Sequence, residues 1–366
     1  MSTLLKDLYT PAFYDQFSAT LKKTIPSVDK KKFLQQIFTP AFADYELKER
    51  MAHTAHVLHQ FFPKEYKTAA PLLCELVEQI KIHGPVASSI EYLFIPEYIY
   101  LYGLDDYNSS VVTMEKVTQF ITCEFAIRHF ILRYEDSMIP QMLKWSKHKN
   151  RQVRRLATEG SRPRLPWAIA LPKIKKDPSP ILPILENLKQ DSCEVVRRSV
   201  ANNLNDISKD NPAITLQLAK KWKGLGVETD AVIKHGLRTL LKAGNLTALS
   251  FYKLTGDHFK LNRFKINTLE LSVGEYLKFE FTIENNSNKT QTLRLEYAVY
   301  YLRNNGTLSK KVFKISERKL NAGEKLPITK RQSFKPITTR VFYKGMHQLA
   351  IIMNGKESKK LSFELS

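Results

Sequence analysis

A helical repeat array followed by an all-β sandwich is the fold class predicted for this 366-residue chain, and three observations predict it. Apolar residues recur at three- and four-residue spacing from Asp7 to about Lys253, as in Leu34, Ile37 and Phe38 or Leu182, Leu185 and Leu188. After about Lys260 the texture changes to strict alternation punctuated by turn residues. The length and a hydrophobic share of 43% are enough for two cores of this kind.

Within the helical part, three segments resemble one another. Asn150-Arg-Gln-Val-Arg-Arg-Leu-Ala, Asp191-Ser-Cys-Glu-Val-Val-Arg-Arg-Ser-Val-Ala and Thr229-Asp-Ala-Val-Ile-Lys-His-Gly-Leu each follow an amphipathic helix. Val153 to Val196 is 43 positions and Val196 to Val232 is 36, near the period of two-helix HEAT-type repeats. An Asp or Asn at the turn is expected to cap the second helix, with the Val packing inward and the following basic pair facing out. Stacked helix pairs then bury one continuous core and leave a concave surface. Trp145 and Trp222, each on the first helix of a repeat, read as core residues.

The alternating part offers strands at Tyr276-Leu-Lys-Phe-Glu-Phe-Thr-Ile, Leu293-Arg-Leu-Glu-Tyr-Ala-Val-Tyr-Tyr and His347-Gln-Leu-Ala-Ile-Ile-Met. Turn signals sit at Asn285-Asn-Ser-Asn, Asn304-Asn-Gly, Asn321-Ala-Gly and Asn354-Gly, a spacing that suits a seven-strand antiparallel immunoglobulin-like sandwich. The expected division is therefore a HEAT-like domain over 1–258 and an immunoglobulin-like domain over 259–366.

A formal net charge of +21 exceeds what solubility requires and suits a surface that binds polyanions by releasing their counterions, nucleic acid first among them. The sandwich is itself rich in Lys and Arg, so it is expected to contact DNA as well. No apolar run approaches a bilayer span, and the Met1-Ser-Thr-Leu-Leu-Lys start lacks a secretory signal, so a cytoplasmic, nucleoid-associated protein without membrane contact is expected. Cys74, Cys123 and Cys193 are scattered and form no CxxC pair, which points to packing residues rather than a disulfide framework. His53, His56 and His59 recur every three residues, but their face rotates too fast for one ion and no Cys or acidic partner completes the set, so no metal is expected.

The run Leu156-Ala-Thr-Glu-Gly-Ser-Arg-Pro-Arg-Leu-Pro-Trp167 carries the most information. With Glu124-Phe-Ala-Ile-Arg128 before it and Val196-Arg-Arg-Ser-Val-Ala-Asn-Asn-Leu-Asn-Asp206 after it, it resembles the AlkC branch of the HEAT-like repeat DNA glycosylases. The resemblance extends to Glu49-Arg-Met-Ala-His53, to Tyr102-Gly-Leu-Asp-Asp106 and to the immunoglobulin-like tail. It implies a base-excision-repair enzyme that removes cationic alkylated bases, 3-methyladenine and 3-methylcytosine, from double-stranded DNA. It also implies that this happens without cofactor, metal or base flipping, and it carries over Glu124, Glu159, Trp167 and Asp206 as the active-site group.

The chemistry suits those residue types. A 3-methylated base already carries positive charge, so its glycosidic bond is primed to break, and the site must supply negative potential beside an oxocarbenium-like sugar and a placed water. Asp206 is expected to polarise the water, Glu159 to share the sugar's charge, Glu124 to support both, and Trp167 to lay its ring on the sugar or base. No lysine sits in the motif in a setting for Schiff-base chemistry, so a monofunctional hydrolase leaving an abasic site is expected. Arg151, Arg154, Arg155, Arg162, Arg164, Arg197 and Arg198 are the phosphate-binding candidates, although a basic residue after the repeat Val also pairs with acidic neighbours. Two simpler readings stay open: Glu159 paired with Arg155 one turn earlier, and Glu124 paired within a helix with Arg128. A monomer is expected. The alternative function is a non-catalytic HEAT-repeat DNA-binding scaffold.

Overall fold

The structure is a computed structural model and describes residues 4–83, 90–337 and 340–366. The reading of the first residues as lacking a signal falls partly on residues 1–3, outside the described residues. The chain forms two compact units, Met1–Gly236 and Leu237–Ser366.

The first unit is helical: α1 (Pro11–Thr24), α2 (Lys30–Ile37), α3 (Leu47–His59), α4 (Tyr66–His83), α5 (Phe94–Gly103), α6 (Tyr107–Val117), α7 (Ala126–Arg133), α8 (Glu135–Trp145), α9 (Arg151–Gly160), α10 (Pro172–Lys176), α11 (Leu182–Leu188), α12 (Glu194–Asp210), α13 (Pro212–Trp222) and α14 (Val227–Gly236). Helix starts follow side-chain chemistry, because the first N–H groups of a helix need acceptors. Asp29 accepts from Lys32 N, Asp106 from Ser109 N and Asn150 from Gln152 N. The repeat pattern holds at Val153, Val196 and Val232, all buried. The caps are less uniform than expected. Asp191 accepts from Cys193 N, one residue before α12, and Thr229 lies buried inside α14 rather than at its start.

Trp145 and Trp222 are core residues with a shared arrangement. Each ring is buried, and each indole N–H donates to a glutamate on an earlier helix, Glu115 at 2.6 Å and Glu186 at 2.8 Å. A buried indole N–H without an acceptor would carry a desolvation cost, so each Glu and Trp fix how one layer sits on the next. The three cysteines are free, with Cys123 fully buried.

The second unit contains α15 (Arg238–Lys242), α16 (Leu246–Phe251) and nine strands among the described residues: β1 (Phe259–Ile266), β2 (Glu270–Leu271), β3 (Tyr276–Asn285), β4 (Gln291–Leu302), β5 (Leu308–Leu320), β6 (Lys325–Ser333), β7 (Gly345–Met353), β8 (Lys356–Glu357) and β9 (Leu361–Leu365). One sheet runs β1-β3-β6; the other runs β2-β9-β7-β4-β5, with β8 beside β7. Seven of the strands are five residues or longer, and the two short ones are additions to the expected seven. The sheet is not wholly antiparallel as expected, since β2 pairs parallel to β9.

Alternation puts Phe279, Phe281, Leu293, Leu295, Leu349 and Phe363 between the sheets. The Asn-Gly signals mark real turns: Gly306 and Gly323 take φ of 75° and 70°, where a Cβ is disfavoured. The outer face of β4 is buried too, and Arg294 there donates to Glu296 at 2.6 Å.

Candidate active site

The motif begins on α9, where Leu156 and Ala157 point into the core and place Glu159 on the last turn. Gly160 follows because no Cβ fits: one built there would stand 2.7 Å from Ile127 Cγ2 on α7. The chain then leaves the helix in a loop, 161–171, that carries Arg162, Arg164 and Trp167. Its ends are closed by Leu171 N donating to Pro163 O at 3.2 Å. Arg128 of α7, fully buried, braces it from beneath, donating to Gly160 O at 3.0 Å, Arg162 O at 2.7 Å and Ile169 O. Trp167 has φ of 65°. A bulky residue in the left-handed region costs on the order of 1–3 kcal/mol and persists only where its surroundings hold it. Lys48 of α3 donates to the Trp167 carbonyl. The indole side chain is left in the open, the residue being 61% exposed.

Around this loop stand three carboxylates. Glu159, 5% exposed, accepts from Arg162 Nη1 at 2.6 Å and from Ser199 Oγ at 2.5 Å, with Arg155 Nη2 at 4.0 Å. Asp206, on α12 and 1% exposed, accepts from Arg162 Nε at 2.8 Å and from Lys209 Nζ at 2.8 Å. Glu124 accepts from Arg155 Nη1 at 2.7 Å and Thr122 Oγ1 at 2.9 Å.

The simpler readings are resolved by these partners. Glu124 is not on a helix beside Arg128: it occupies the turn before α7 and faces Arg155, while Arg128 spends its donors on backbone carbonyls. Glu159 does approach Arg155, but Arg162 is the nearer partner.

A cleft of about 510 Å³ opens over this group. Glu124, Glu159, Arg155, Arg162, Phe125 and Trp167 line it, and Asp206 does not; it lies behind the Arg162 guanidinium. The electrostatics follow from burial and pairing. Burial works against the charge on Arg162, yet Glu159 and Asp206 outweigh it and hold the guanidinium above its ordinary value. Arg128 hydrogen-bonds only carbonyls and stands near Arg162, so burial first and that like charge second push it down to about 10, the charges of Asp206, Glu124 and Glu159 offsetting them only in part.

The arginines proposed for phosphate divide sharply. Arg154 grips Asp191 with two donors, at 2.5 and 3.0 Å, and also donates to His148 O and Lys149 O. Arg197 donates to Asp191 O and Ser192 O. Arg155 and Arg162 serve the carboxylates, Arg164 holds Asp210 at 2.8 and 2.6 Å, and Arg198 pairs with Glu194 at the surface. Arg151, exposed at the start of α9, faces no carboxylate among the described residues.

The histidine row has other work. His53 Nε2 lies 3.0 Å from the carbonyls of Gln36 and Ile37, His56 and His59 meet the hydroxyls of Tyr102 and Tyr98, and the His59 ring stacks on Tyr102 at 3.6 Å. No three His, Cys, Asp or Glu side chains among the described residues are placed to hold a metal ion. No helix among them is long and apolar enough to cross a membrane.

Sequence reasoning missed Ser199, Thr122, Arg128 and Lys48. Ser199 lay inside a quoted motif, and its place one turn inward from Val196 on α12 was the available signal. The carbonyl partners of Arg128 and Lys48 leave no trace in side-chain spacing.

Comparison with known proteins extends the picture. Residues 103–223 match the family described as "DNA alkylation repair enzyme", and residues 260–366 match "Uncharacterised protein YhaZ, C-terminal Ig-like domain". The chain is 40% identical over 362 residues to "Uncharacterized protein YhaZ" of Bacillus subtilis (strain 168), covering 99% of both. Among solved structures, the Pseudomonas fluorescens alkylpurine DNA glycosylase AlkC, bound to DNA containing an abasic site analog, superposes with a TM-score of 0.93 at 33% identity, covering 100% of both chains.

Proposed function

Because this chain belongs to the AlkC-type DNA alkylation-repair glycosylases, a branch of the HEAT-like repeat DNA glycosylases, we propose that it hydrolyses the N-glycosyl bond of cationic alkylated bases in double-stranded DNA. The bases are 3-methyladenine and 3-methylcytosine, and the product is an abasic site with the strand intact. The observation that carries this reading is the exposed Trp167 ring beside two carboxylates, Glu124 and Glu159, in one cleft of a strongly basic protein.

The bond between C1′ and the base nitrogen breaks with its electron pair going to the base, which leaves neutral and needs no proton. Positive charge grows on the sugar. Glu159 and Glu124 stabilise it because they are already oriented by Arg162, Arg155, Ser199 and Thr122, so little reorganisation accompanies the reaction. Water attacks C1′ and gives its proton to a carboxylate. Asp206 acts on that water from behind Arg162, its negative charge reaching the cleft through the guanidinium that separates the two. Trp167 covers the sugar and excludes bulk water from one side.

A normal base is a poor leaving group, so undamaged DNA survives contact. A base lying in a cleft this open is reached without being turned out of the helix. Single-turnover assays on methylated duplex, scoring free base, abasic sites and strand breaks separately, test the reading. Strand breaks without added alkali would contradict it.

A further inference from the structure

Lys48 is absent from every functional assignment above, yet it makes the longest-range contact of the Trp167 loop: its ammonium, on the first turn of α3, donates to the carbonyl of Trp167 itself. The same ammonium sits 6.0 Å from the ring centroid of Phe125, another wall of the cleft. The residues beside it are all committed to anchoring that turn. Glu49 accepts from Glu46 N at 2.7 Å. Arg50, buried, donates to Lys6 O at 2.8 Å and Tyr45 O at 3.0 Å, and His53 faces the carbonyls of Gln36 and Ile37. Glu49, Arg50 and His53 thus anchor the start of α3, and Lys48 extends from it to two residues of the cleft wall, Trp167 and Phe125.

From this geometry, and resting on the function proposed above, we infer that Lys48 is a positioning residue: it holds Trp167 in its left-handed conformation at the mouth of the site. Trp167 takes the left-handed position of a turn closed by Ala168 N donating to Leu165 O at 3.3 Å, with Pro166 before it. A side chain that bulky is disfavoured there, so a second hold on its carbonyl stabilises the conformation. Arg128 and the Pro163–Leu171 hydrogen bond fix the loop's ends, and neither touches residue 167. Without Lys48 the turn over Pro166 and Trp167 rests on the single hydrogen bond from Ala168 N to Leu165 O, at 3.3 Å, and the indole is held less firmly over the cleft. The long side chain suits the task, because its point charge reaches from α3 to a carbonyl of the loop 119 positions away.

A double-mutant cycle tests the inference on the full chain, using methylated duplex and undamaged duplex as probes. Lys48→Met should slow single-turnover excision at saturating DNA by about tenfold in the Trp167 protein, and by less than about twofold in a Trp167→Ala background, since contacts that act through one another are not additive. Lys48→Arg, which keeps a donor, should recover most of the rate. Affinity for undamaged duplex and its salt dependence should not change. Equal losses in both backgrounds would overturn the inference, as would a full rate at saturation with a log–log salt slope reduced by roughly 0.9, the mark of a lost phosphate contact.

A second readout is independent of catalysis. Trp167 is exposed while Trp145 and Trp222 are buried, so the quencher-accessible fluorescence belongs to Trp167. Its anisotropy decay should gain a fast component in Lys48→Met, and an unchanged decay would overturn the proposal. If the wild-type protein released no base, the glycosylase reading would fail, and the anisotropy measurement alone would decide the role of Lys48.

Discussion

Glu159 and Asp206, 47 positions apart on different helices, are joined through one guanidinium: Arg162 donates to the first at 2.6 Å and to the second at 2.8 Å. All three side chains are more than nine-tenths buried. The bridge makes the motif on α9 and the motif on α12 a single electrostatic unit.

Removing the centre of that unit leaves two buried carboxylates without their shared cation. Arg162→Met is expected to lower stability by about 3–5 kcal/mol, the usual cost of breaking a buried ion pair on one side. Urea unfolding at neutral pH measures it. Arg162→Lys should fall between, because an ammonium cannot meet both acids in the fork geometry of a guanidinium. An unchanged midpoint for both variants would mean the acids are solvated after all.

Trp167 contributes through its face, so the ring should matter more than its bulk. Trp167→Ala is expected to slow excision by roughly 2- to 30-fold, the range for a contact of about 0.5–2 kcal/mol between a cation and an aromatic ring. Trp167→Phe should lose less. Since the ring is exposed, neither variant should shift the thermal midpoint appreciably.

Arginines that serve the fold and arginines that serve DNA separate on salt. Arg151→Ala should reduce the log–log salt slope of duplex binding by roughly 0.9, the value of one phosphate contact on duplex DNA. Arg154→Ala should instead lower stability and leave the slope alone, because its donors already hold Asp191 and two carbonyls. Filter binding across a salt series checks both.

Much of this arrangement was legible in the sequence. The change of period near residue 260 announced two kinds of structure, and the recurring Val positions marked buried faces because helical spacing leaves them nowhere else to point. Glu124, Glu159 and Trp167 were carried over from the family resemblance, and they line one cleft. The employment of the arginines was not legible. Arg154 and Asp191 are 37 positions apart, and only the stacking of repeats brings them together. The place of Asp206 behind Arg162 was hidden for the same reason, and the parallel β2–β9 pair was hidden because β2 has only two residues, too few to show alternation.

The Arg164–Asp210 pair gives a pH signature. Hydrogen bonds from Arg164, aided by its charge, hold the Asp210 carboxyl below its ordinary value. The folded state therefore binds that proton less readily than the unfolded state. The pair's contribution is complete above an unfolded carboxylate pKa of about 4 and is lost as pH falls through the lower folded value. The stability difference between wild type and Arg164→Ala should be constant from neutral pH down to that point and close on further acidification. A gap that persists in strong acid would assign Arg164 a packing role.

The most direct measurement is single-turnover release of 3-methyladenine from methylated duplex with protein in excess, comparing wild type with Glu159→Gln and Asp206→Asn. The expected result is free base and intact strands bearing abasic sites from the wild type. Each variant should release base at least about 100-fold more slowly, the scale of one preorganised electrostatic group, while binding undamaged duplex as well or better. Release by the variants at the wild-type rate, or none by any of the three, would contradict the claim that these carboxylates stabilise an electron-poor sugar.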